Sequence, residues 1–276
     1  MEKFPLFVLN SKGEKELFSK EKIFWSVKRA GGSDEMAKKI SGLIEKEVYP
    51  EMPTREIYKK VKEYLKKSQK DIFLRFSLKE AILKLGPTGF PFEKFVGKIF
   101  EKDGFKVDYN LKIVGFCNVN YEIDFRAQKE KEIILGECKY HQKSGERVDL
   151  KILLANQARF MDILENKDFR SLKEKGFQIK TIIITNTKFT SQAIQYAQCK
   201  KTDLLGWRYP PQRGIEFLIE KKKIYPLTIL PSFKGKIRDY LLKNNIISID
   251  DFFEKEKEIP LGFFRPLSNE AQLLFQ

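Results

Sequence analysis

Two short runs, the apolar Ile133-Ile134-Leu135 and the β-branched Thr181-Ile182-Ile183-Ile184, constrain the fold more than any other feature of the chain. A strand with one wet face alternates apolar and polar residues, whereas an unbroken apolar run reads as a strand covered on both faces. Strands of that kind belong inside a sheet layered with helices. The flanking segments supply them. Phe92, Phe95, Val96, Ile99 and Phe100 recur at helical spacing behind Pro91, and Asp149 stands as a cap before a helical stretch at 152–164. Strands are expected at 107–115, 121–127, 132–140, 180–185 and 203–207, with a further helix at 191–199. The order helix, three strands, helix, strand, helix, strand predicts an α/β fold, a mixed sheet flanked by helices.

The N-terminal stretch reads differently. A strand at 4–9, the turn residues Asn10, Ser11 and Gly13, and a second strand reaching Leu17 and Phe18 form a hairpin. Three helices follow, with Ser19, Ser33 and Thr54 as cap residues and Gly31-Gly32 as a stop. Trp25 and Trp207 read as packing residues. After Pro210-Pro211 the chain turns helical, at 234–244 behind Ser232 and at 249–253 behind Ser248. The expected division is a compact module at 1–70, a connecting helix at 71–88, the sheet domain at 89–210 and a small helical region at 211–276.

The 276 residues carry 53 basic against 38 acidic side chains, a net charge of +15 that favours a polyanionic partner. Cys117, Cys138 and Cys199 form no paired motif, which argues against a zinc ribbon and for a reducing compartment. No apolar run is long enough for a signal peptide or a membrane span, so a cytoplasmic protein without membrane association is expected.

The chemistry-bearing feature is the end of the apolar strand IILGECKYH. Strand alternation puts Glu137, Lys139 and His141 on one face, and the preceding strand, Tyr121-Glu122-Ile123-Asp124-Phe125, brings Asp124 near Glu137. Two carboxylates and the Cys138 backbone carbonyl make an oxygen-rich site suited to Mg²⁺, with Lys139 beside it to orient water or neutralise charge. Glu93, on the helix before the sheet, is a further candidate for the metal shell.

On these residues the segment from Leu85 to Pro210 resembles the Mrr-like branch of the PD-(D/E)xK restriction endonuclease superfamily, through LGPTGFPFEKFVGKIFEKDGF, VNYEIDFRA, IILGECKYHQKSGERVDLKILLANQARFMDI and TNTKFTSQAIQYAQCKKTDLLGW. The resemblance implies a restriction-endonuclease-like sheet and Mg²⁺-dependent cleavage of DNA. It assigns catalytic roles to Glu93, Asp124, Glu137, Lys139 and Gln157, and phosphate-facing roles to His141, Arg159 and Lys188. The family habit adds a homodimer. Ile123 stands where the signature has proline.

The stretch FVLNSKGEKELFSKEKIFWSVKRAGGSDEMAKKISGLIEKEVYPEMPTREIYKKVKEYL resembles an ATP-cone, a regulatory nucleotide-binding domain. That resemblance implies a bound ATP or other adenine nucleotide, with Lys12, Lys20, Lys22 and Lys28 near the phosphates and Val8 in the base pocket. Asn10-Ser11-Lys12 replaces the family's basic pair before the turn glycine, and no GxxxxGK[ST] motif exists, so nucleotide acts as an effector and not as fuel. The alternative is a non-cutting, nucleotide-responsive nucleic-acid-binding protein built on the same two domains.

Overall fold

The structure, a computed structural model, describes residues 5–275. The chain divides into two compact units. One holds the residues up to Ala81, Ile229–Arg238 and the residues from Glu256 onward; the other holds Ile82–Thr228 and Asp239–Lys255.

The first unit opens with an antiparallel hairpin of β1 (Phe7–Leu9) and β2 (Lys15–Leu17), Val8 opposite Glu16. Asn10 shapes its turn, its Oδ1 accepting from the amides of Lys12 and Glu14 at 2.8 and 3.1 Å. The expected strand start at Phe4 lies outside the described residues. Helices α1 (Lys20–Arg29), α2 (Asp34–Glu47), α3 (Thr54–Ser68) and α4 (Lys70–Phe76) follow. Ser19 and Ser33 cap α1 and α2 as expected, each accepting an amide at 3.1 Å. Thr54 does not cap α3; it is the first helical residue, behind Pro53. Val27, Ile40, Ile44, Val61 and Leu65 close the core. Trp25, expected inside, is 56% exposed with its ring edge-on to Phe24. The buried residues of α1 are Ile23 and Val27, and position 25, two residues from each, falls on the opposite side of the helix.

The chain enters the second unit within α5 (Leu78–Leu83). There follow α6 (Phe90–Glu101), β3 (Lys106–Val114), β4 (Asn120–Lys129), β5 (Glu132–Lys139), β6 (Arg147–Val148), α7 (Leu150–Leu164), α8 (Lys167–Glu174), β7 (Gln178–Thr185), β8 (Lys188–Phe189), α9 (Ser191–Lys200) and β9 (Asp203–Leu205). The sheet has the order β3-β4-β5-β7-β9, antiparallel as far as β5 and parallel beyond it, so it is mixed, as expected. Ile133, Leu135 and Ile183 pack with Leu153 and Phe160 of α7 and Ala193 of α9, while Phe125 sets its ring against Phe100 of α6. Helices therefore flank the sheet. Trp207 is buried, as expected. Helix α8 and the two-residue ribbon of β6 and β8 have no counterpart in the sequence reading.

The last helices are α10 (Ile215–Lys222), α11 (Gly235–Lys243), α12 (Ile249–Glu254) and α13 (Leu261–Gln272). Ser248 caps α12 in a reciprocal box with Asp251. Ser232 caps nothing: its amide and hydroxyl both donate to Glu270, at 2.9 and 2.8 Å. The stretch read as a single appendix is shared between the two units. Among the described residues no helix is long and apolar enough to cross a membrane.

Candidate functional site

Strand β4 pairs with β5 from Lys129 opposite Glu132 to Phe125 opposite Gly136. Glycine is required at 136, because a Cβ there would stand 2.0 Å from the Phe125 ring. Beyond this pair, the Cys138 amide donates to the side chain of Asp124, at 2.6 Å from Oδ2. Regular alternation breaks at Asp124. Its opposite number on β3, Asn110, is skipped by the ladder and takes a φ of 52°. Ile123 joins the cluster beneath α7, whereas Phe125 packs on α6, so the two neighbours of Asp124 go to different helix layers. The twist turns the Asp124 carboxylate towards β5.

Glu137 is almost fully buried, at 4% exposure. Its Oε1 accepts from Lys139 Nζ at 2.5 Å, and its Oε2 pairs with the Arg159 guanidinium from α7. The latter contact is ionic without hydrogen-bond alignment, since Oε2 has no donor directed at it. Arg159 Nη2 donates to Asn156 Oδ1 at 2.6 Å and Nη1 to the Glu122 carbonyl at 3.2 Å. Asn156, also buried, returns its Nδ2 to the Ile152 carbonyl.

The acids feel one another. Burial, and then the charge of Glu137, push Asp124 up to about 6. Burial, followed by the charges of Asp124 and Glu137, pushes Glu93 up to about 7. Glu93, Asp124, Glu137 and Lys139 therefore lie within reach of one another's charge. Their donors are hard carboxylate oxygens, one of them buried without a hydrogen bond, which is the set Mg²⁺ takes. Among the described residues, however, no three His, Cys, Asp or Glu side chains close into a group that holds a metal as they stand. Cys138 enters the cluster through its amide.

Gln157 is elsewhere. Its Oε1 accepts from Thr202 Oγ1 at 2.7 Å, and it sits about 200° around α7 from Arg159. Asn156 and Arg159 are the α7 residues at the cluster. His141 is clamped by buried Asn186, whose Oδ1 accepts from the His141 amide at 2.9 Å and whose Nδ2 donates to its carbonyl at 2.7 Å. The His141 ring pairs with Glu146 through Nδ1. Lys188 is exposed on β8, in register with exposed Arg147 of β6. Asn156 and Asn186 went unweighed in the sequence; the only signal was Asn186 inside the segment TNTKF.

The first unit contains a cavity of about 210 Å³ lined by Val8, Ser19, Lys22, Ser26, Thr54 and Tyr58, among others. Of the five residues expected at nucleotide, Val8 and Lys22 line it; Lys12, Lys20 and Lys28 do not. Lys20 pairs with Glu45 at 2.7 Å and Lys28 with Asp34 at 2.6 Å, while Lys12 is exposed at the hairpin turn. Tyr58 and Phe76 stack along one wall, with ring centroids 5.1 Å apart. Sequence gave no reason to separate this aromatic pair from ordinary helix packing.

Residues 6–79 match the ATP cone domain. The match takes in α4, within the stretch expected to connect the two domains. An uncharacterized protein of Archaeoglobus fulgidus is 35% identical over 171 residues, 60% of this chain and 91% of the relative. A crystal structure of a protein of unknown function, AF1548, superposes with a TM-score of 0.55 at 30% identity, covering 67% of this chain and 97% of that one. The chain carries an N-terminal ATP-cone domain and belongs to the family of this Archaeoglobus fulgidus protein.

Proposed function

We propose that this chain is a metal-dependent endodeoxyribonuclease with a restriction-endonuclease-like, PD-(D/E)xK core, regulated by adenine nucleotide at its ATP-cone. One observation carries the reading: Glu93, Asp124 and Glu137 repel one another around the end of β5, with an ammonium beside them. A protein that only bound nucleic acid has no need to gather three carboxylates around two cations. Asp124 and Glu137, with Glu93 behind them, are the residues to hold Mg²⁺. The ion, when bound, supplies a water of lowered pKa and neutralises the non-bridging phosphate oxygens.

The chain's own groups do the rest. Lys139 orients the attacking water and offsets the charge that grows on the phosphate. The water oxygen bonds to phosphorus as the bond to the 3′ oxygen breaks, leaving a 5′-phosphate and a 3′-hydroxyl. Lys188, His141 and Arg147 grip the backbone on either side, and the net charge of +15 draws the duplex in. Two copies of a single-site chain account for cutting both strands.

Cleavage of supercoiled, linear, branched and single-stranded DNA, in Mg²⁺ or EDTA and with or without ATP, tests this. Asp124→Ala and Lys139→Ala should each lower the rate by about 10²-fold or more. Activity unchanged in both variants overturns the mechanism. A second reading, a non-cutting nucleotide-responsive DNA-binding protein, is favoured by the engagement of both Glu137 oxygens with cations. Binding without cleavage on every substrate selects it.

A further inference from the structure

Both oxygens of Glu137 are taken, and by cations of different origin. Lys139 is fixed beside it, two residues along the same strand, at 2.5 Å. Arg159 arrives from α7, on a long side chain that is 20% exposed. We propose that Arg159 is an internal counter-ion which occupies the metal's place on Glu137 in the free protein and transfers to a backbone phosphate when nucleic acid binds. Divalent cation and nucleic acid then bind cooperatively. This rests on reading Glu93, Asp124 and Glu137 as a cation site.

Three features support an exchange over a permanent strut. The first is the quality of the contact. Glu137 Oε2 receives no aligned donor and Arg159 Nε has no acceptor, so the pair is not the two-bonded fork that an arginine and a carboxylate make when the arrangement is fixed. The second is the anchor. Asn156 and the Glu122 carbonyl hold Nη2 and Nη1 at 2.6 and 3.2 Å, independently of Glu137, so the guanidinium has partners to pivot about as it swings from the carboxylate to a phosphate. The third is charge. Glu93, Asp124 and Glu137 face Lys139 and Arg159, so with both cations in place a divalent ion meets at most one net negative charge. With Arg159 withdrawn it meets two. A planar guanidinium matches phosphate oxygens at least as well as a carboxylate.

The test uses the full chain and Mn²⁺ as the probe, with free ion followed by electron paramagnetic resonance and without DNA. Arg159→Gln should tighten Mn²⁺ binding by roughly tenfold over wild type, the size of an ordinary coupling between sites. Arg159→Lys should return it towards wild type. The same Arg159→Gln change should weaken duplex binding in EDTA. Asn156→Ala, which loosens the anchor and keeps the cation, should shift Mn²⁺ affinity the same way by less, and serves where circular dichroism shows Arg159→Gln unfolded. Should the folded Arg159 and Asn156 variants bind Mn²⁺ no more tightly than wild type while Asp124→Asn abolishes binding, the exchange is wrong and the site stands. Should Asp124→Asn leave Mn²⁺ binding unchanged, or neither wild type nor Arg159→Gln bind it, the site itself is misread and the exchange falls with it.

Discussion

Asp124 does two jobs with one carboxylate. It closes the hydrogen-bond ladder by accepting the Cys138 amide, and burial, with the charge of Glu137 beside it, holds it above its ordinary range. A folded-state pKa raised from 3.8 to about 6 means the folded chain holds that proton more tightly than the unfolded one. In EDTA, the contribution of Asp124 and Glu93 to stability is therefore greatest at acid pH and is lost as pH rises from about 4 to about 7, the upper limit set by Glu93. Asp124→Asn keeps an oxygen for the Cys138 amide and removes the charge. It should flatten this fall and stabilise the metal-free protein at pH 8 by about 1–2 kcal/mol, measured as thermal unfolding at pH 5 and 8. A variant that tracks wild type at both pH values shows that neither burial nor Glu137 raises Asp124. The acidic pair and Lys139 were legible in the sequence because an apolar strand announced their face. Arg159 is expected at the site and lies there, whereas Gln157, expected beside it, turns to Thr202 and leaves its place to Asn156. The run ILLANQARFMDIL is apolar on several sides, and Leu154 and Met161 stay 44% and 53% exposed, so hydrophobicity does not fix which side of α7 looks inward.

Among the elements, β5 holds the site by virtue of a missing side chain. The Phe125 ring crosses the sheet where Gly136 leaves room, and β4 parts from β5 immediately afterwards. Gly136→Ala should displace that ring, cost about 1–3 kcal/mol in denaturant unfolding, and impair the site more than its distance from the reacting atoms implies. An unchanged unfolding midpoint would show that the strand tolerates the group. Strands β5 and β7 could be read from their apolar runs, and the caps Ser19, Ser33, Asp149 and Ser248 from residue type alone. The break in alternation at Asp124 could not, because nothing in Tyr121-Glu122-Ile123-Asp124-Phe125 departs from an ordinary half-buried strand. Helix α8 is short and mostly polar, the β6–β8 ribbon has two residues a side, and α13 carries Pro266 inside it, so none gives a periodic signal.

At the scale of the whole molecule, the ATP-cone cavity makes a prediction separable from any cleavage. Adenine nucleotide should raise the unfolding temperature by a few degrees when present at about 100 times its dissociation constant. Lys22→Glu, which places a second acid beside Glu16 at the cavity, should weaken binding by roughly tenfold or more with the fold intact by circular dichroism. Equal nucleotide-induced shifts in wild type and variant would place the phosphates elsewhere. The ATP-cone was legible as a hairpin followed by capped helices, but its extent was not. Helix α4 lies in the matched domain, and residues from the far end of the chain join the same compact unit. Arg75 of that unit donates to the carbonyl of Leu274 at 3.2 Å, a partner 199 positions downstream. During synthesis, then, all five strands of the central sheet are made while the ATP-cone unit still waits for its closing helix. The ATP-cone domain precedes the sheet in the sequence, yet the compact unit it belongs to is completed from beyond the sheet.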